Sequence, residues 1–401
     1  MSSSAKGSSS VLAQPVEVWV LTFACTVSYM GLGLVDPILP TIAAQLDATA
    51  GQTELLFTSY LFITALVMFF SAWVSSRIGT RRTLIVGVGI IVLFAAACTL
   101  AGGVNEIIGF RAGWGLGNAL FVSTALAAIV ASTTHATIAI MFYEAAVGLG
   151  FAFGPLVGGL LGEVSWRGPF AGTAILMGLA LIAVVIFFKV PEKSSAPAPL
   201  SFFDGVKGAF HPDMRWLALG ALFFNFSFMM MLVYSPFPVE HAASVAGLTF
   251  TPIHLGLVFF GWGVGLAISS VWIAPKLART FGTQKTLLAA ISLVALVHVA
   301  LALTSESLVP LIIVVILGGF CVGTVNTLLT TVSMSQSSLP RPVASSAYSG
   351  VRFIGSALGP TLVGPLEGFG VAAPLWAAAI SAVIAVLILG FFLKPGSKEY
   401  A

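Results

Sequence analysis

The sequence predicts an all-α membrane protein in which twelve transmembrane helices form two pseudo-symmetric six-helix bundles. Composition, segment length and an internal repeat support this prediction. Hydrophobic residues make up 58% of the chain and charged residues 8%, and the mean hydropathy is +1.06. A soluble protein of this length needs more polar surface, so we expect the lipid bilayer to be its main solvent.

The apolar residues fall into roughly twelve segments of about 18 to 25 residues, each able to cross a hydrocarbon core of about 30 Å as a helix. Their long unbroken apolar runs favour helices over the short alternating strands of a barrel. The predicted spans are residues 18–43, 54–75, 83–103, 105–130, 136–161, 168–188, 215–239, 253–275, 286–305, 308–332, 343–366 and 372–393.

Two segments of the first half return in the second half. The glycine-rich segment 150–159 returns 205 residues later as 355–364, and Gly79-Thr-Arg-Arg-Thr-Leu returns 203 residues later from Gly282. Such repeats are the building units of many secondary transporters, whose substrate sites lie between the halves near the membrane midplane. We therefore expect two related six-helix halves with a site between them.

A polar, proline-rich segment separates these halves. It predicts a linker over 190–214, between a first half at 17–189 and a second at 215–394, with tails at 1–16 and 395–401. Within the linker, residues 200–210 are compatible either with a short interfacial helix that turns its phenylalanines toward lipid or with a solvated loop.

Most lysines and arginines lie in segment ends or loops that an even number of helices places on one side. Only Arg167 falls on the opposite side, while Arg111 and Arg352 lie within predicted helices. The positive-inside rule then predicts that the N-terminus, the linker and the C-terminus are cytoplasmic.

Several function classes have no signal in the sequence. A glycine-rich loop ending in Lys-Ser or Lys-Thr is absent, which argues against an ATP-driven pump, and no histidine or cysteine pair has metal-ligand spacing. We expect no enzyme activity, no metal and no cofactor apart from protons as the coupling ion. The expected partners are a small-molecule substrate and the bilayer, without nucleic acid, for a chain that acts as a monomer.

Four motifs carry a resemblance to a known family. Gly-x-x-x-Gly-Pro-x-x-Gly-Gly occupies residues 150–159, Arg-Ala-Gly-Trp-Gly-Leu-Gly occupies 111–117, Asp-Pro-Ile-Leu-Pro occupies 36–40, and a basic loop occupies 72–82. Together these motifs resemble those of the major facilitator superfamily, and within it the twelve-helix drug:proton antiporters.

The resemblance implies proton-coupled export of amphipathic drugs or related small molecules by alternating access across a bacterial inner membrane. Two other readings stay open: an exporter of one endogenous metabolite, lipid or siderophore, and a facilitator or importer without obligatory proton exchange. A sensor without transport activity would not explain Asp36, Arg111 and Glu144 in apolar segments.

The resemblance also implies gating roles for the basic loop and the glycine motif, whose glycines at a spacing of four let a neighbouring helix approach closely. The basic loop departs from the family pattern, because Ser76 stands where relatives have an aspartate thought to hold the halves together, and Ala72 replaces a glycine. The predicted gating residues are Arg77, Gly79, Arg81, Arg82, Gly150, Gly154, Pro155, Gly158 and Gly159.

Ionisable residues inside membrane helices are costly and are commonly functional. Asp36 and Arg111 fall at similar depths in the first and fourth segments, so we predict that they interact across the cavity and take part in proton coupling. Asn118 shares a helix face with Arg111 and is expected to extend this cluster. The alternative is a permanent ion pair that only orients the two helices.

Glu144 is the second intramembrane acid, with apolar neighbours before it in the fifth segment. We predict that it relays protons or attracts cations; a protonated carboxyl bonded to a backbone carbonyl is an equal alternative. Arg352 has no acid in its own half, so it is expected to reach a backbone carbonyl, a water-filled vestibule or Glu144.

An aromatic and polar set is predicted to line the substrate site, because rings with a few polar tips accept varied amphipathic ligands. Each aromatic member is also compatible with the core or with lipid. The predicted substrate-binding residues are Tyr29, Asp36, Tyr60, Trp114, Asn118, Glu144, Asn225, Phe228, Tyr234, Trp262, Asn326, Tyr348 and Arg352.

Overall fold

The computed structural model describes residues 14–34, 42, 45–133, 136–189, 200–335 and 337–393. These residues are almost entirely helical, and twelve long helices form two bundles of six, as predicted. The long helices are α1 Val16–Gly33, α2 Ala50–Ile78, α3 Thr80–Leu100, α4 Val104–Ala131, α5 Ala136–Val164, α6 Gly168–Phe187, α7 Arg215–Tyr234, α8 Pro252–Ile268, α9 Thr283–Leu303, α10 Leu308–Ser335, α11 Arg341–Thr361 and α12 Ala373–Phe392.

Helices α7 and α8 continue beyond these bounds. A short helix, Pro236–Val245, extends α7, and α8 passes through one π-helical turn, Ser269–Ile273, into Ala274–Phe281. A five-residue helix, Val363–Glu367, follows α11.

Eleven helical spans among the described residues are long and apolar enough to cross a membrane. The long helix outside this group is α11, whose sequence contains serines and Arg352. Those polar side chains are buried against other helices, so α11 spans the bundle with little exposure of its polar residues. Its low apolarity therefore reflects a position inside the protein.

The sequence repeat is also a structural repeat. Gly79 between α2 and α3 has φ 86° and ψ 152°, and Gly282 before α9 has φ 88° and ψ 149°. Residues with a Cβ rarely adopt such a positive φ, which explains why both copies carry glycine. The two halves thus make the same turn at equivalent points.

The glycine motif packs helices within each half. A Cβ at Gly150 or Gly154 would contact the backbone of α1 at Thr26 or Met30. In the second half, a Cβ at Gly355 would overlap the Leu222 carbonyl oxygen of α7. The α1–α5 contact and the α7–α11 contact are therefore equivalent, and both depend on missing side chains.

The linker contains a helix, Asp204–Ala209, which we call the linker helix. It is shorter than the predicted 200–210 and packs against α2 and α11. A Cβ at Gly205 would overlap the Phe69 carbonyl oxygen of α2, while Gly208 faces α11. Phe202, expected to turn toward lipid, stacks on Phe70 with ring centroids 4.2 Å apart. The linker helix thus bridges the two halves.

We call the end of the bundle beside the linker helix the linker end. There, buried serines join α2, α4 and α11 across the halves. The Ser71 and Ser346 hydroxyls are 2.7 Å apart, and Ser346 also accepts the Ala72 backbone N–H at 2.9 Å. Ser123 donates to Ser71, and Ser345 donates to the Ser123 carbonyl at 2.7 Å. We call Ser71, Ser123, Ser345 and Ser346 the serine cluster; it closes the linker end.

A crevice between the halves lies toward the opposite end. Its lining is apolar and comes from α1 and α5 of the first half and from α7, α8 and the Pro236–Val245 helix of the second. The lining residues are Gly33, Phe151, Pro155, Leu232, Pro236, Leu255 and Phe259. The structure therefore combines a closed linker end with an apolar crevice facing away from it.

Candidate functional site

Glu144 lies on α5 at the contact between the halves and is fully buried. Its Oε1 accepts a hydrogen bond from the Thr330 hydroxyl of α10 at 2.6 Å. The same oxygen lies 3.8 Å from Nη1 of Arg352 on α11. Both partners belong to the second half, so one carboxylate of the first half is held entirely by the other half.

Arg352 is buried beside Glu144 and is fixed by a second partner. Its Nε donates to the Asn225 side-chain oxygen of α7 at 3.1 Å, and the Asn225 amide nitrogen donates to the Ala221 carbonyl at 2.9 Å. Of the three destinations considered for Arg352 from the sequence, the structure places it at Glu144.

Tyrosine hydroxyls surround this ion pair. Tyr29 of α1 and Tyr143 of α5 share a hydrogen bond of 2.7 Å, and the Tyr348 hydroxyl lies 3.4 Å from that of Thr330. All three phenol groups are close enough to Arg352 to interact with its charge. The site therefore combines one acid, one base and neutral hydrogen-bonding groups in a buried setting.

An aromatic cluster separates the ion pair from the crevice. Phe228 stacks on Trp262 with centroids 5.7 Å apart, and Phe151 packs edge-on against both rings at 5.9 and 6.1 Å. Phe151 lies seven residues beyond Glu144 on α5, or about 10 Å toward the crevice at 1.5 Å per residue. Its ring also lines the crevice, so the cluster forms the crevice floor.

Arg111 occupies a different part of the first half. It is buried on α4, its Nε donates to the Leu56 carbonyl, and its guanidinium lies over the rings of Tyr60 and Trp114 at 5.1 and 5.4 Å. Asp36, its predicted partner, lies outside the described residues. The aromatic surroundings show how a buried cation is stabilised there.

A family model described as Major Facilitator Superfamily matches residues 21–360 of this chain. The chain belongs to the Major Facilitator Superfamily. As a member of this superfamily it is a multi-pass membrane transporter of small molecules rather than an enzyme.

Relatives of known name agree with this assignment. The chain is 43% identical to the "Multidrug efflux protein YfmO" of Bacillus subtilis (strain 168) over 384 residues, which cover 94% of this chain and 93% of that protein. It is 23% identical to the "Quinolone resistance protein NorA" of Staphylococcus aureus (strain MSSA476), covering 93% and 96%.

A solved structure confirms the fold of this superfamily member. The human organic anion transporter MFSD10 (TETRAN) matches with a TM-score of 0.77 at 15% identity, over 93% of this chain and 99% of that one. At this identity the likeness concerns the fold alone.

Other predicted site residues of this superfamily member have local partners. Asn118 accepts a hydrogen bond from Ser28 of α1 at 2.6 Å, and Tyr234 donates to the Val371 carbonyl near the end away from the linker. Tyr234 is therefore not part of the buried ion-pair site.

In the predicted gating loop, the side chains of Arg77, Arg81 and Ser76 contact their own half. Arg81 donates to the Val185 carbonyl of α6 at 2.7 Å, and Arg77 lies over the Trp73 ring at 5.9 Å. Arg82 is exposed, and Ser76 donates to the Trp73 carbonyl of its own helix at 2.8 Å. Ser76 therefore does not supply the cross-half contact that an aspartate is thought to make in relatives.

The remaining gating candidates lie along α5. Gly158 and Gly159 are buried, and a Cβ at Gly158 would overlap the Leu34 carbonyl. Pro155 faces Gly33 of α1 and lines the crevice. The glycine motif therefore packs α5 closely against α1 and also contributes Pro155 to the crevice wall.

Three residues of this site were not predicted from the sequence: Tyr143, Phe151 and Thr330. Phe151 lies between motif residues, Tyr143 lies in the apolar segment before the motif, and Thr330 is one of several threonines in α10. Spacing on α5 offered one signal, since Phe151 is i+7 from Glu144 and shares its face.

Proposed function

We propose that this chain is a monomeric, proton-driven exporter of amphipathic drugs or related small molecules that works by alternating access. The linker end faces the cytoplasm, and the protein lies in a bacterial inner membrane. Support comes from superfamily membership, from the name of the 43% identical relative, a multidrug efflux protein, and from a buried acid at the contact between the halves.

The observation that carries the proposal is the cross-half ion pair. Glu144 is charged when it attracts Arg352, and a proton on Glu144 removes that attraction. Breaking a buried pair by neutralising one partner leaves the other charge uncompensated, which costs about 3–5 kcal/mol. Protonation of one carboxyl therefore changes the preference between two arrangements of the halves.

The structure corresponds to an outward-facing state in this scheme, since the linker end is closed and the crevice lies at the other end. Charged Glu144 holds the halves together and prevents an empty, unprotonated transporter from returning to the state that is open at the linker end. Proton uptake releases Arg352, and the halves can then rearrange so that the linker end opens. Substrate binding from the cytoplasm requires Glu144 to lose its proton, which restores the pair.

Asp36 and Arg111 are included in the proposal as a second proton-coupling pair. The aromatic contacts of Arg111 hold its guanidinium in a fixed position on α4. In the proposal, this guanidinium pairs with the Asp36 carboxylate when that group is charged and loses the pair when Asp36 is protonated.

Everted membrane vesicles with an imposed pH gradient test this function. Addition of chloramphenicol, a neutral amphipathic drug, should dissipate the gradient in vesicles with the wild-type protein, and Glu144→Gln should abolish this effect at equal expression. Glu163→Gln is the matched control, because Glu163 lies on the same helix but is exposed. Drug-dependent dissipation that survives Glu144→Gln would refute the role of Glu144.

A further inference from the structure

Arg352 supplies a positive charge beside Glu144, the acid with which a cationic drug would otherwise pair. Its Nη1 lies 3.8 Å from Oε1, and its Nε is held by Asn225. With Asn225 and Thr330 neutral, the formal charge of this group is zero. A permanently cationic ligand would thus meet a guanidinium beside the only acid of the pair.

Unsatisfied polar atoms lie next to this neutral group. Within the described part of the chain, Nδ2 and Oδ1 of Asn326 and Oε2 of Glu144 are buried without a hydrogen-bond partner. Nε1 of Trp262 also lacks one, but it lies farther away, beside Gly318. Buried polar groups in proteins are almost always hydrogen-bonded, so these atoms indicate a missing partner. A ligand that both donates and accepts hydrogen bonds would satisfy them.

Their position lies between the ion pair and the crevice floor. Asn326 precedes Thr330 by one turn on α10, and α10 runs toward the linker end, so Asn326 lies about 6 Å farther from that end. Phe151, Phe228 and Trp262 lie beyond it on the same side, as a wall of rings. The amide and the rings together suit a flat aromatic molecule with an amide-like polar group.

We propose that Arg352 determines specificity as a tethered cation that restricts this site to net-neutral aromatic amphipaths carrying both hydrogen-bond donors and acceptors. The inference rests on the proposed function, since it concerns the same transport site. Like charges brought together at an interface cost several kcal/mol, and this cost excludes permanent cations while Arg352 remains. Proton and substrate then compete indirectly, because a proton on Glu144 frees Arg352 to enter the substrate space.

Equilibrium binding to purified protein in nanodiscs tests this, with chloramphenicol as the neutral aromatic probe and tetraphenylphosphonium as the permanent cation. Wild-type protein should prefer chloramphenicol. Arg352→Gln should bind tetraphenylphosphonium roughly tenfold or more tightly than wild type, which corresponds to about 1.4 kcal/mol. Arg352→Lys loses the two-point contact with Asn225 and Glu144 but keeps the charge, so it should not show this gain for tetraphenylphosphonium. Arg279→Gln removes an exposed arginine and should bind both probes as wild type does.

A second variant keeps the test decisive if Arg352→Gln fails to fold. Asn326→Leu leaves the ion pair intact and should weaken chloramphenicol binding roughly tenfold without a gain for the cation. Wild-type protein that prefers tetraphenylphosphonium, or chloramphenicol binding unaffected by Asn326→Leu, would overturn the inference.

Failure of this inference is distinguishable from failure of the proposed function. If Glu144→Gln loses proton coupling but the probe preference does not depend on Arg352, only the inference falls. If Glu144→Gln retains proton coupling, the proposed function falls whatever the probes show.

Discussion

Glu144 of α5 and Arg352 of α11 form an ion pair across the two halves, with 3.8 Å between Oε1 and Nη1 and both side chains buried. The residues are distant in the sequence and belong to helices that the internal repeat makes equivalent. The pair therefore joins corresponding helices of the two halves at one point.

A double-mutant cycle tests the strength of this relationship. Glu144→Gln or Arg352→Met alone should lower the free energy of unfolding by about 3–5 kcal/mol, because each leaves a buried partner without compensation. The double variant should lose less than the sum of the two losses. Denaturant titration of the purified protein measures all four forms, and additive losses would show that the pair contributes no coupling energy.

Thr330 should support the charge of Glu144. Thr330→Val removes a donor 2.6 Å from Oε1, and hydrogen bonds to charged groups contribute about 1.5–3 kcal/mol. We expect a loss of stability in this range and reduced drug-dependent transport. Thr330→Ser retains the hydroxyl and is the matched control; a defect in Thr330→Ser as large as that in Thr330→Val would contradict the role of the hydroxyl.

The serine cluster should favour the closed linker end. Ser346→Ala removes the cross-half hydrogen bond of Ser71, which keeps its partners Met68 and Ser123 in the first half, so we expect a loss of about 0.5–1.5 kcal/mol. Spin labels at the exposed positions Lys189 and Arg279 should then report a larger population with separated linker ends. Ser292→Ala removes an exposed hydroxyl and serves as control; identical distance distributions in all forms would contradict the prediction.

The linker helix is expected to add to this closure. Gly205→Ala places a methyl group against the Phe69 carbonyl oxygen, so the helix must move, at about 1–3 kcal/mol for overpacking. At Gly208 a Cβ would meet only the Val343, Ala347 and Leu339 side chains at 3.0 to 3.4 Å. Thermal unfolding should therefore show a larger loss for Gly205→Ala than for Gly208→Ala; the reverse order would place the linker helix elsewhere.

Much of the fold was predictable because two simple signals agree. Apolar length identified the helices, and the repeated glycines identified the two halves, whose turns at Gly79 and Gly282 have nearly the same φ and ψ. The predicted helix ends differ from the structure by a few residues, since end positions depend on local capping. The first predicted span, 18–43, extends past Gly33 into residues 35–41, which lie outside the described part.

The site was less predictable, because a sequence gives the depth of a residue in a helix but not the direction of its side chain relative to distant helices. The depth of Arg352 in its helix was compatible with three surroundings: a backbone carbonyl, a water-filled vestibule or Glu144. Contact with Glu144 depends on how α5, α10 and α11 are rotated, and these rotations follow from backbone approaches such as that at Gly355. Thr330 and Phe151 carry no charge or motif, so only packing identifies them.

Proton release from purified protein tests the central claim most directly. When a saturating drug is added in weakly buffered solution, wild-type protein should release about one proton per bound drug molecule more than Glu144→Gln, by proton linkage. Glu163→Gln should behave as wild type. Equal release from wild type and Glu144→Gln, at equal drug binding, would contradict the account.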